Sequence, residues 1–381
     1  MKILYYLPSL YMSGGLERII TFKANYLASE LGHEVVVMTS EQMDKRPYFP
    51  LAANVKHIDI NVPFDIGGPG SKIIKILTYP FRYSKFKNRF TDVLYKERPD
   101  VTVSTLRREI NFLTSLEDGS IKIGEFHITR GAYFTESVTY KSYIKGFLKR
   151  SLEQRFIKKL SRLDKLVLLT NEEKSFWPEL SNTMVIYNPV TITPTVTSDC
   201  KSNIVMAAGR YSYQKGFDML IKAWNMVVKE CPGWELRIYG EGNDKELKQL
   251  IEKHELEQSC FLLPPVSNIE EKYAESSIFV LSSRYEGFGM VLCEAMTCGV
   301  PAVSFDCKCG PKDIINHGKD GLLAECCNID ALAQSVIVLA KDQVKREQMG
   351  RDALVNSKRF SQANIMGIWN DLFNYLIKSN G

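Results

Sequence analysis

Residues 277–301 read SIFVLSSRYEGFGMVLCEAMTCGVP. The secondary structure of this stretch is the starting point for predicting the fold. Its apolar start predicts a buried strand, and Gly287 and Gly289 predict a turn. The residues that follow predict a helix that ends at Gly299, with Pro301 beyond it. The stretch is therefore predicted to be a strand, a glycine turn and a helix, in that order.

A glycine turn of this kind presents backbone N–H groups at a helix N-terminus, where the helix dipole also favours negative charge. A phosphate or an anionic leaving group suits such a site. Glu286 precedes the turn, and Glu294 lies one turn into the helix. A carboxylate beside an anion site is suited to accept hydrogen bonds from hydroxyl groups of the same ligand, and a sugar nucleotide has both parts. The alternative is a solvated loop glutamate and a helix-surface glutamate.

Alternating strand and helix patterns on both sides of this stretch predict an α/β fold of two doubly wound, Rossmann-like domains facing a cleft. At the start of the chain, strands at residues 2–7 and 34–38 flank a helix that opens at Gly14 and Gly15. This glycine pair is equally typical of an ordinary tight turn. The alternation stops before residues 191–202, whose Thr, Ser and Pro content predicts a linker.

Two cations follow the first predicted strand of the second half. Arg210 and Lys215 lie in residues 209–216 (GRYSYQKG), directly after the strand at residues 204–208. Because ligands of such sheets bind outside the carboxyl ends of the strands, both cations are predicted to face the same cleft as the glycine turn. The fork of an arginine and the point charge of a lysine suit a diphosphate.

Length and composition exclude several protein classes. The chain of 381 residues suits two domains, and it contains no apolar run of about 18 residues such as a membrane span needs. No signal peptide is visible, and all nine cysteines lie from Cys200 onward, which predicts reduced thiols in the cytoplasm. No Asp-x-Asp occurs, and the cysteines lack zinc-site spacing. They are predicted to be buried small side chains, and no metal or other cofactor is expected.

The formal net charge of +5 is unevenly distributed along the chain. Residues 1–190 carry 28 Lys and Arg against 20 Asp and Glu, whereas residues 191–381 carry 21 against 24. The first half is therefore predicted to meet an anionic partner or surface. No nucleic-acid partner is expected.

Residues 80–97 predict a helix whose first position is a proline. Arg82, Lys85 and Arg89 form a basic stripe beside an aromatic stripe on this helix. The combination suits peripheral contact with an anionic membrane surface, or a lipid-linked diphosphate acceptor. The alternative is that the aromatic side chains are core and the cations a solvated face.

Together these motifs resemble the retaining glycosyltransferases of family four, which have the glycosyltransferase B fold and include bacterial surface-polysaccharide and lipid-linked oligosaccharide hexosyltransferases. The matching elements are Gly14-Gly15-x-Glu17-Arg18, Asn188-Pro189, Gly209-Arg210-x4-Lys215-Gly216, Tyr239-Gly240-x-Gly242, Glu286-Gly287-Phe288-Gly289-x4-Glu294-Ala295 and residues 305–314 (FDCKCGPKDI). They follow one another in the family's order over most of the chain.

The resemblance implies an acceptor-binding domain over residues 1–190 and a donor-binding domain over residues 191–359, with a C-terminal helix at 360–381 packing back on the first. It implies a retaining, metal-independent transfer of a hexose or N-acetylhexosamine from a nucleoside diphosphate sugar, with uridine diphosphate favoured. The favoured acceptor is a growing surface glycan carried on a polyprenyl diphosphate. The enzyme is then expected in the cytoplasm, at the inner face of the cytoplasmic membrane.

The resemblance also assigns residue roles. The catalytic set is Glu286, Arg210, Lys215 and His127, and the donor-binding set is Gly14, Gly15, Gly209, Pro265, Val266, Gly287, Phe288, Gly289, Met290 and Glu294. In these roles the cations hold the diphosphate, Glu286 the sugar hydroxyls and Glu294 the ribose. The histidine of the family is often preceded directly by glutamate, whereas Phe126 separates Glu125 from His127 here. A packing role for this histidine therefore stays open.

Two other functions fit the same features. A sugar-nucleotide epimerase of the same fold would also place carboxylates near a diphosphate, and a non-catalytic nucleotide-sugar-binding protein would need the same pocket. An NAD-dependent dehydrogenase is disfavoured, because neither glycine turn has the Gly-x-Gly-x-x-Gly spacing of a dinucleotide site.

Overall fold

A computed structural model describes residues 1–64, 72–131, 133 and 145–380 of the chain. The chain divides into two compact units. The first comprises Met1–Leu169, Lys174–Ile186 and Met366–Gly381, and the second comprises Thr170–Glu173 and Tyr187–Ile365. Each unit contains one parallel β-sheet with helices.

Strands and helices alternate along the first part of the chain. The strands are β1 (Lys2–Tyr6), β2 (Glu34–Thr39), β3 (Val55–Asp59), β4 (Val101–Ser104), β5 (Ile121–Phe126), β6 (Lys165–Leu168) and β7 (Thr183–Val185). The helices are α1 (Gly15–Ser29), α2 (Lys72–Glu97), α3 (Lys145–Leu160) and α4 (Asn171–Ser175).

The same alternation continues in the second part. The strands are β8 (Ile204–Ala208), β9 (Glu235–Tyr239), β10 (Cys260–Leu263), β11 (Ile278–Leu281), β12 (Ala302–Phe305) and β13 (Gly321–Ala324). The helices are α5 (Phe217–Glu230), α6 (Lys245–Lys253), α7 (Ile269–Ala274), α8 (Met290–Thr297), α9 (Pro311–Ile314), α10 (Ile329–Lys341), α11 (Gln343–Ser357) and α12 (Gln362–Asn380).

Both sheets have the strand order of a doubly wound fold. The first runs β3-β2-β1-β4-β5-β6-β7 and the second β10-β9-β8-β11-β12-β13, with every pair parallel. The central strands are almost continuously apolar because helices cover both faces of such a sheet. In each sheet the order reverses beside the first strand, so a crevice opens at the carboxyl ends of β1 and β4, and likewise of β8 and β11.

Each unit has its own hydrophobic core. In the first unit, Phe86 and Phe90 of α2 are fully buried together with Trp177. In the second unit, Trp224 of α5 is buried in a core cluster to which β8 and β9 also contribute. Of the two interpretations of the aromatic stripe on α2, packing in the core is therefore the correct one for Phe86 and Phe90.

Two predictions need correction. The proline expected at the start of a helix, Pro80, lies inside α2, which begins eight residues earlier at Lys72. The cysteines expected to be buried are buried in seven cases, but Cys326 and Cys327 are exposed. These two cysteines lie in the exposed segment directly after β13, so the core has no place for them.

No helix in the described part of the chain is both long enough and apolar enough to cross a membrane.

Candidate functional site

The reversal in the second sheet brings two predicted motifs together. Strands β8 and β11 are neighbours, with Ile278 opposite Val205 and Phe279 opposite Met206. The segment with the two cations follows β8, and the segment with the glycine turn follows β11. Both segments therefore leave the same edge of the sheet side by side, which is where ligands of such sheets bind.

Three hydrogen bonds tie these two segments to each other. The backbone N–H of Arg284 donates to the Gln214 carbonyl at 2.8 Å, and the Gln214 side-chain amide donates to the Tyr285 carbonyl at 3.1 Å. The Ser282 hydroxyl donates to the Lys215 carbonyl at 2.9 Å. The two segments thus form one connected platform rather than two independent loops.

The central feature of this platform is an ion pair. Lys215 Nζ lies 2.7 Å from Glu286 Oε1, and the Ser283 hydroxyl donates to the same oxygen at 2.6 Å. The lysine side chain is 18% exposed and the glutamate side chain 8% exposed. Two of the predicted catalytic residues, 71 positions apart in sequence, are therefore in direct contact at a site that solvent barely reaches.

Gly216 allows the close approach of the two segments. Its φ is +64°, and a Cβ at this position would lie 2.1 Å from the Ser282 carbonyl oxygen. A real Cβ cannot come so near a backbone atom, so only glycine fits without moving the segment that carries Glu286.

We expect Gly216→Ala to destabilise the second unit and to separate Lys215 from Glu286. The matched control is Gly233→Ala, because Gly233 has a similar φ of +83° but open space around its Cβ position. The control should lose only about 1–2 kcal/mol of stability, which is the cost of a residue with a Cβ in the left-handed backbone region. Chemical denaturation of both variants measures the difference, and equal losses would contradict the steric role of Gly216.

Arg210 lies apart from this ion pair. Its side chain is exposed, and among the described residues it forms no ion pair. It lines an open pocket of about 650 Å³ that does not include Lys215 or Glu286. The lining residues are Arg210, Tyr211, Ser212, Tyr213, Gln214, Glu241, Gly242 and Tyr285. Tyr285 and Gln214 belong to both the platform and the pocket, so the two regions adjoin.

Packing against the Gly310 segment and against two aromatic rings holds the glycine turn at 287–289 in place. Gly310, in the predicted 305–314 motif, has φ +133°, and a Cβ there would lie 1.9 Å from the Phe288 carbonyl oxygen. The Phe288 ring is buried and packs on Tyr187 and Phe360, with centroid distances of 5.7 and 5.8 Å. The side chain of Phe288 thus anchors the turn. Gly289, with φ +95°, caps α8, whose first residue is Met290.

The remaining donor-binding residues of the second unit occupy different environments. Glu294 is buried in α8 and accepts a hydrogen bond from the Tyr273 hydroxyl at 3.1 Å. Pro265 is exposed and Val266 half-buried just after β10. Gly209 has φ +153° and lies against the Lys215 side chain. Their contacts with ribose, base and sugar stay predictions.

In the first unit, Gly14 is the N-cap of α1 and Gly15 its first residue. His127 follows β5, and its Nε2 lies 3.0 Å from Glu125 Oε1. The predicted role of His127 toward a sugar stays a prediction.

Glu125 also forms a buried ion pair with Lys23 of α1. Both side chains are completely buried, and the Lys23 ammonium lies 4.2 Å from the centre of the Trp369 ring. Sequence analysis missed this pair. The available signal was a lysine on the apolar face of a helix, four residues after Ile19 and four before Leu27.

A second ion pair that sequence analysis missed supports the platform. The Arg284 guanidinium binds both oxygens of Asp218, at 2.9 and 2.7 Å, and stacks on the Tyr213 ring at 4.0 Å. Burial opposes ionisation of Asp218, but the hydrogen bonds from Arg284 outweigh it and lower the pKa of this carboxyl. The pair therefore fixes the segment before Glu286 to helix α5.

The basic stripe of α2 is only partly free. Arg89 donates to the carbonyls of Ile60 and Asn61, at 2.6 and 3.2 Å. Arg82 reaches the carbonyls of Pro63 and Phe64 at 3.4 Å. These two side chains hold the segment after β3 in place. Lys85 and Arg89 are both exposed, whereas Arg82 is half-buried.

No cluster of three or more His, Cys, Asp or Glu that could hold a metal occurs within residues 1–64, 72–131, 133 and 145–380. The lining of the platform is instead a cation, a carboxylate and a helix N-terminus. These groups suit an anionic ligand that also carries hydroxyls.

Two sheets of this order are the arrangement of the glycosyltransferase B fold, and comparison with solved structures confirms this fold class. A mutant of Staphylococcus aureus TarM, solved with fondaparinux, alpha-GlcNAc-glycerol and UDP, superimposes with a TM-score of 0.77. The match covers 98% of this chain and 99% of that one at 16% sequence identity.

Residues 192–354 match the family described as glycosyl transferases group 1, so this chain contains a glycosyltransferase domain of that group. For these residues, the match confirms the resemblance to glycosyltransferases predicted from the motifs.

Relatives among curated proteins agree with this assignment. The amylovoran biosynthesis glycosyltransferase AmsD of Erwinia amylovora is 33% identical over 222 residues, 55% of this chain and 62% of that protein. The N-acetylgalactosamine-N,N'-diacetylbacillosaminyl-diphospho-undecaprenol 4-alpha-N-acetylgalactosaminyltransferase of Campylobacter jejuni is 29% identical over 46% of this chain and 47% of that protein. The alignments with the first two curated relatives span 60% and 62% of their lengths.

Proposed function

We propose that this protein is a retaining, metal-independent glycosyltransferase that moves a hexose or N-acetylhexosamine from a nucleoside diphosphate sugar to a hydroxyl of a growing surface glycan. The observation that carries the proposal is the contact between Lys215 and Glu286 beside the glycine turn at 287–289. A cation, a carboxylate and a helix N-terminus meet at one edge of one sheet, and a sugar diphosphate has a complementary group for each of them.

In this proposal the resting ion pair opens when the donor binds. Lys215 turns to the diphosphate, and Glu286 then accepts hydrogen bonds from the sugar hydroxyls. Because Glu286 already neutralises the lysine before binding, the buried ammonium is never left without a counter-charge. The Ser283 hydroxyl, which donates to the same carboxylate oxygen, keeps Glu286 oriented through the exchange.

Bond cleavage places negative charge on the β-phosphate of the leaving diphosphate. Once the donor is bound, Lys215 and the amides at the start of α8 face that charge before the bond breaks, and donors positioned in this way lower the barrier. Arg210, on the adjoining pocket, would supply a second cation. The sugar becomes oxocarbenium-like, and the acceptor hydroxyl attacks from the face that the phosphate leaves, which retains the anomeric configuration. The departing phosphate takes the hydroxyl proton.

The relatives support a finer proposal for the donor and the acceptor. UDP in the Staphylococcus aureus TarM structure supports uridine diphosphate as the carrier. The diphospho-undecaprenol named for the Campylobacter jejuni relative supports an acceptor glycan on a polyprenyl diphosphate. We therefore propose a cytoplasmic enzyme that works at the inner face of the cytoplasmic membrane, close to its acceptor.

We expect one nucleotide sugar to raise the melting temperature more than its free nucleotide does. A ligand at 100 times its Kd stabilises the native state by about 2.7 kcal/mol, which a thermal-shift screen detects easily. The screen should contain UDP, GDP and dTDP sugars together with the matching nucleotides. A flat response to every compound would contradict a donor site in this protein.

The two alternative functions give different products. An epimerase would convert the purified donor into an isomeric donor without any acceptor. A binding protein would be stabilised by the nucleotide sugar but would release no nucleoside diphosphate with any acceptor. A coupled assay of nucleoside diphosphate release, with and without glycan acceptors, separates all three.

A further inference from the structure

The N-terminal half of α2 exposes a group of large apolar side chains. Elsewhere in the described part of the chain, exposed large apolar side chains occur singly or in pairs. In α2, five occur within eight residues. They are Ile74, Ile76, Leu77, Tyr79 and Phe81, with exposed fractions of 60%, 72%, 69%, 45% and 81%. A soluble surface seldom carries such a cluster unless it binds something apolar.

Helix α2 is apolar on two opposite sides. Ile74, Leu77 and Phe81 follow the spacing of one helical face, and we call these three residues the outer apolar face. Nine residues correspond to about two and a half helical turns, so each member lies opposite a residue nine positions later. The opposite residues are Tyr83, Phe86 and Phe90, which pack into the core of the first unit. The outer apolar face is therefore not needed for that core.

The charges around this face have one sign. Residues 72–91 contain six Lys and Arg and no Asp or Glu. Lys85 lies one turn after Phe81 on the same side of the helix, and its side chain is exposed. The flanking residues are therefore suited to anionic headgroups, while the three apolar side chains are suited to the acyl chains beneath them.

We propose that the outer apolar face of α2 inserts into an anionic membrane surface, with the helix lying in the plane of the headgroups. A second copy of this chain would also cover the three side chains, but it would bring two sets of six cations together without any acidic partner. A lipid surface both buries the apolar groups and neutralises the cations. The proposal places the first unit at the membrane. Its benefit for catalysis rests on the proposed lipid-linked acceptor, but the binding itself does not.

Vesicle flotation of the full chain tests this face directly. The wild type should float with vesicles of phosphatidylcholine and phosphatidylglycerol, and much less with phosphatidylcholine alone. Leu77→Gln combined with Phe81→Gln should weaken binding to the mixed vesicles about tenfold or more, since two apolar side chains lose their insertion. Lys85→Glu should weaken it as well and make the remaining binding less sensitive to salt. The matched control is Val344→Gln, because Val344 is 76% exposed in the second unit and should not affect flotation.

Equal binding of wild type and the double variant would overturn the proposal, and so would failure of the wild type to bind the mixed vesicles. A concentration-dependent dimer in sedimentation velocity that the double variant abolishes would identify a second copy as the occupant instead. Because both side chains are exposed, the melting temperature should stay unchanged. If the melting temperature of the double variant falls, Phe81→Gln alone is compared with the wild type in the same flotation assay. No donor or acceptor is needed, so the outcome is separate from that of the proposed sugar transfer.

Discussion

Replacing Lys215 by alanine should lower kcat by about 10²–10³, the usual cost of removing one preorganised donor from a developing negative charge. The lysine contacts Glu286 at 2.7 Å and lies beside the glycine turn, so its loss removes the cation that we propose to face the leaving diphosphate. It also leaves Glu286 without its counter-charge, which should weaken donor binding. The rate of nucleoside diphosphate release with saturating donor and acceptor measures the effect.

The matched control is Lys229→Ala, because Lys229 is an exposed lysine of α5 in the same unit. It should leave kcat unchanged. Lys215→Arg should recover part of the activity, since the charge is kept but the fork replaces a point charge. Wild-type turnover in Lys215→Ala would contradict the assignment of this lysine to the leaving group.

The second large effect concerns the buried ion pair of the first unit. Lys23→Met should lower the free energy of unfolding by about 3–5 kcal/mol, because it leaves the buried Glu125 carboxylate without its partner. Lys23→Met combined with Glu125→Gln should recover much of this loss, since a neutral pair of similar volume needs no counter-charge. Urea denaturation of the wild type and both variants measures the three values.

The pH dependence of this effect has a definite sign. Burial raises the pKa of Glu125, but Lys23 and His127 outweigh it and lower the pKa to about 2. Burial also lowers the pKa of Lys23, which opposes pairing. We take the pair as charged at neutral pH, because the two groups contact each other directly.

A lowered carboxyl pKa contributes stability that is present above the unfolded pKa of about 4.5 and is lost as the pH falls toward 2. Without Lys23 the buried Glu125 carboxyl should instead prefer its protonated form. Acidification should therefore reduce the loss of stability in the Lys23→Met variant. The stability difference between wild type and Lys23→Met should therefore shrink below about pH 4.5. A difference that stays constant or grows on acidification would contradict an ionised Glu125.

Much of the site could be predicted because its parts are local. The strand, turn and helix at 277–301 and the strand before Arg210 have clear patterns, and the structure places them within a residue or so of prediction. That Lys215 and Glu286 touch could not be read from the sequence. Their contact depends on β8 and β11 being neighbours, and on a close approach that Gly216 permits. Sheet order is a property of the whole domain.

The predicted start of helix α2 was wrong because tertiary contacts outweighed a local sequence rule. Pro80 fits the first position of a helix, yet α2 begins at Lys72 and runs through it. The core contacts of Phe86 and Phe90 stabilise the later turns, so the helix tolerates the lost hydrogen bond. Sequence analysis also did not anticipate that Arg82 and Arg89, on the predicted basic stripe, donate to nearby backbone carbonyls. Which carbonyls lie within reach depends on how the segment after β3 folds back.

The most direct test of the proposed mechanism is a crystal structure with UDP bound. We predict that the β-phosphate lies within hydrogen-bond distance of Lys215 Nζ and of the backbone amides at 288–290, and that Glu286 has separated from Lys215. A UDP molecule bound elsewhere, with the contact between Lys215 and Glu286 intact, would contradict the claim that these residues hold the leaving group.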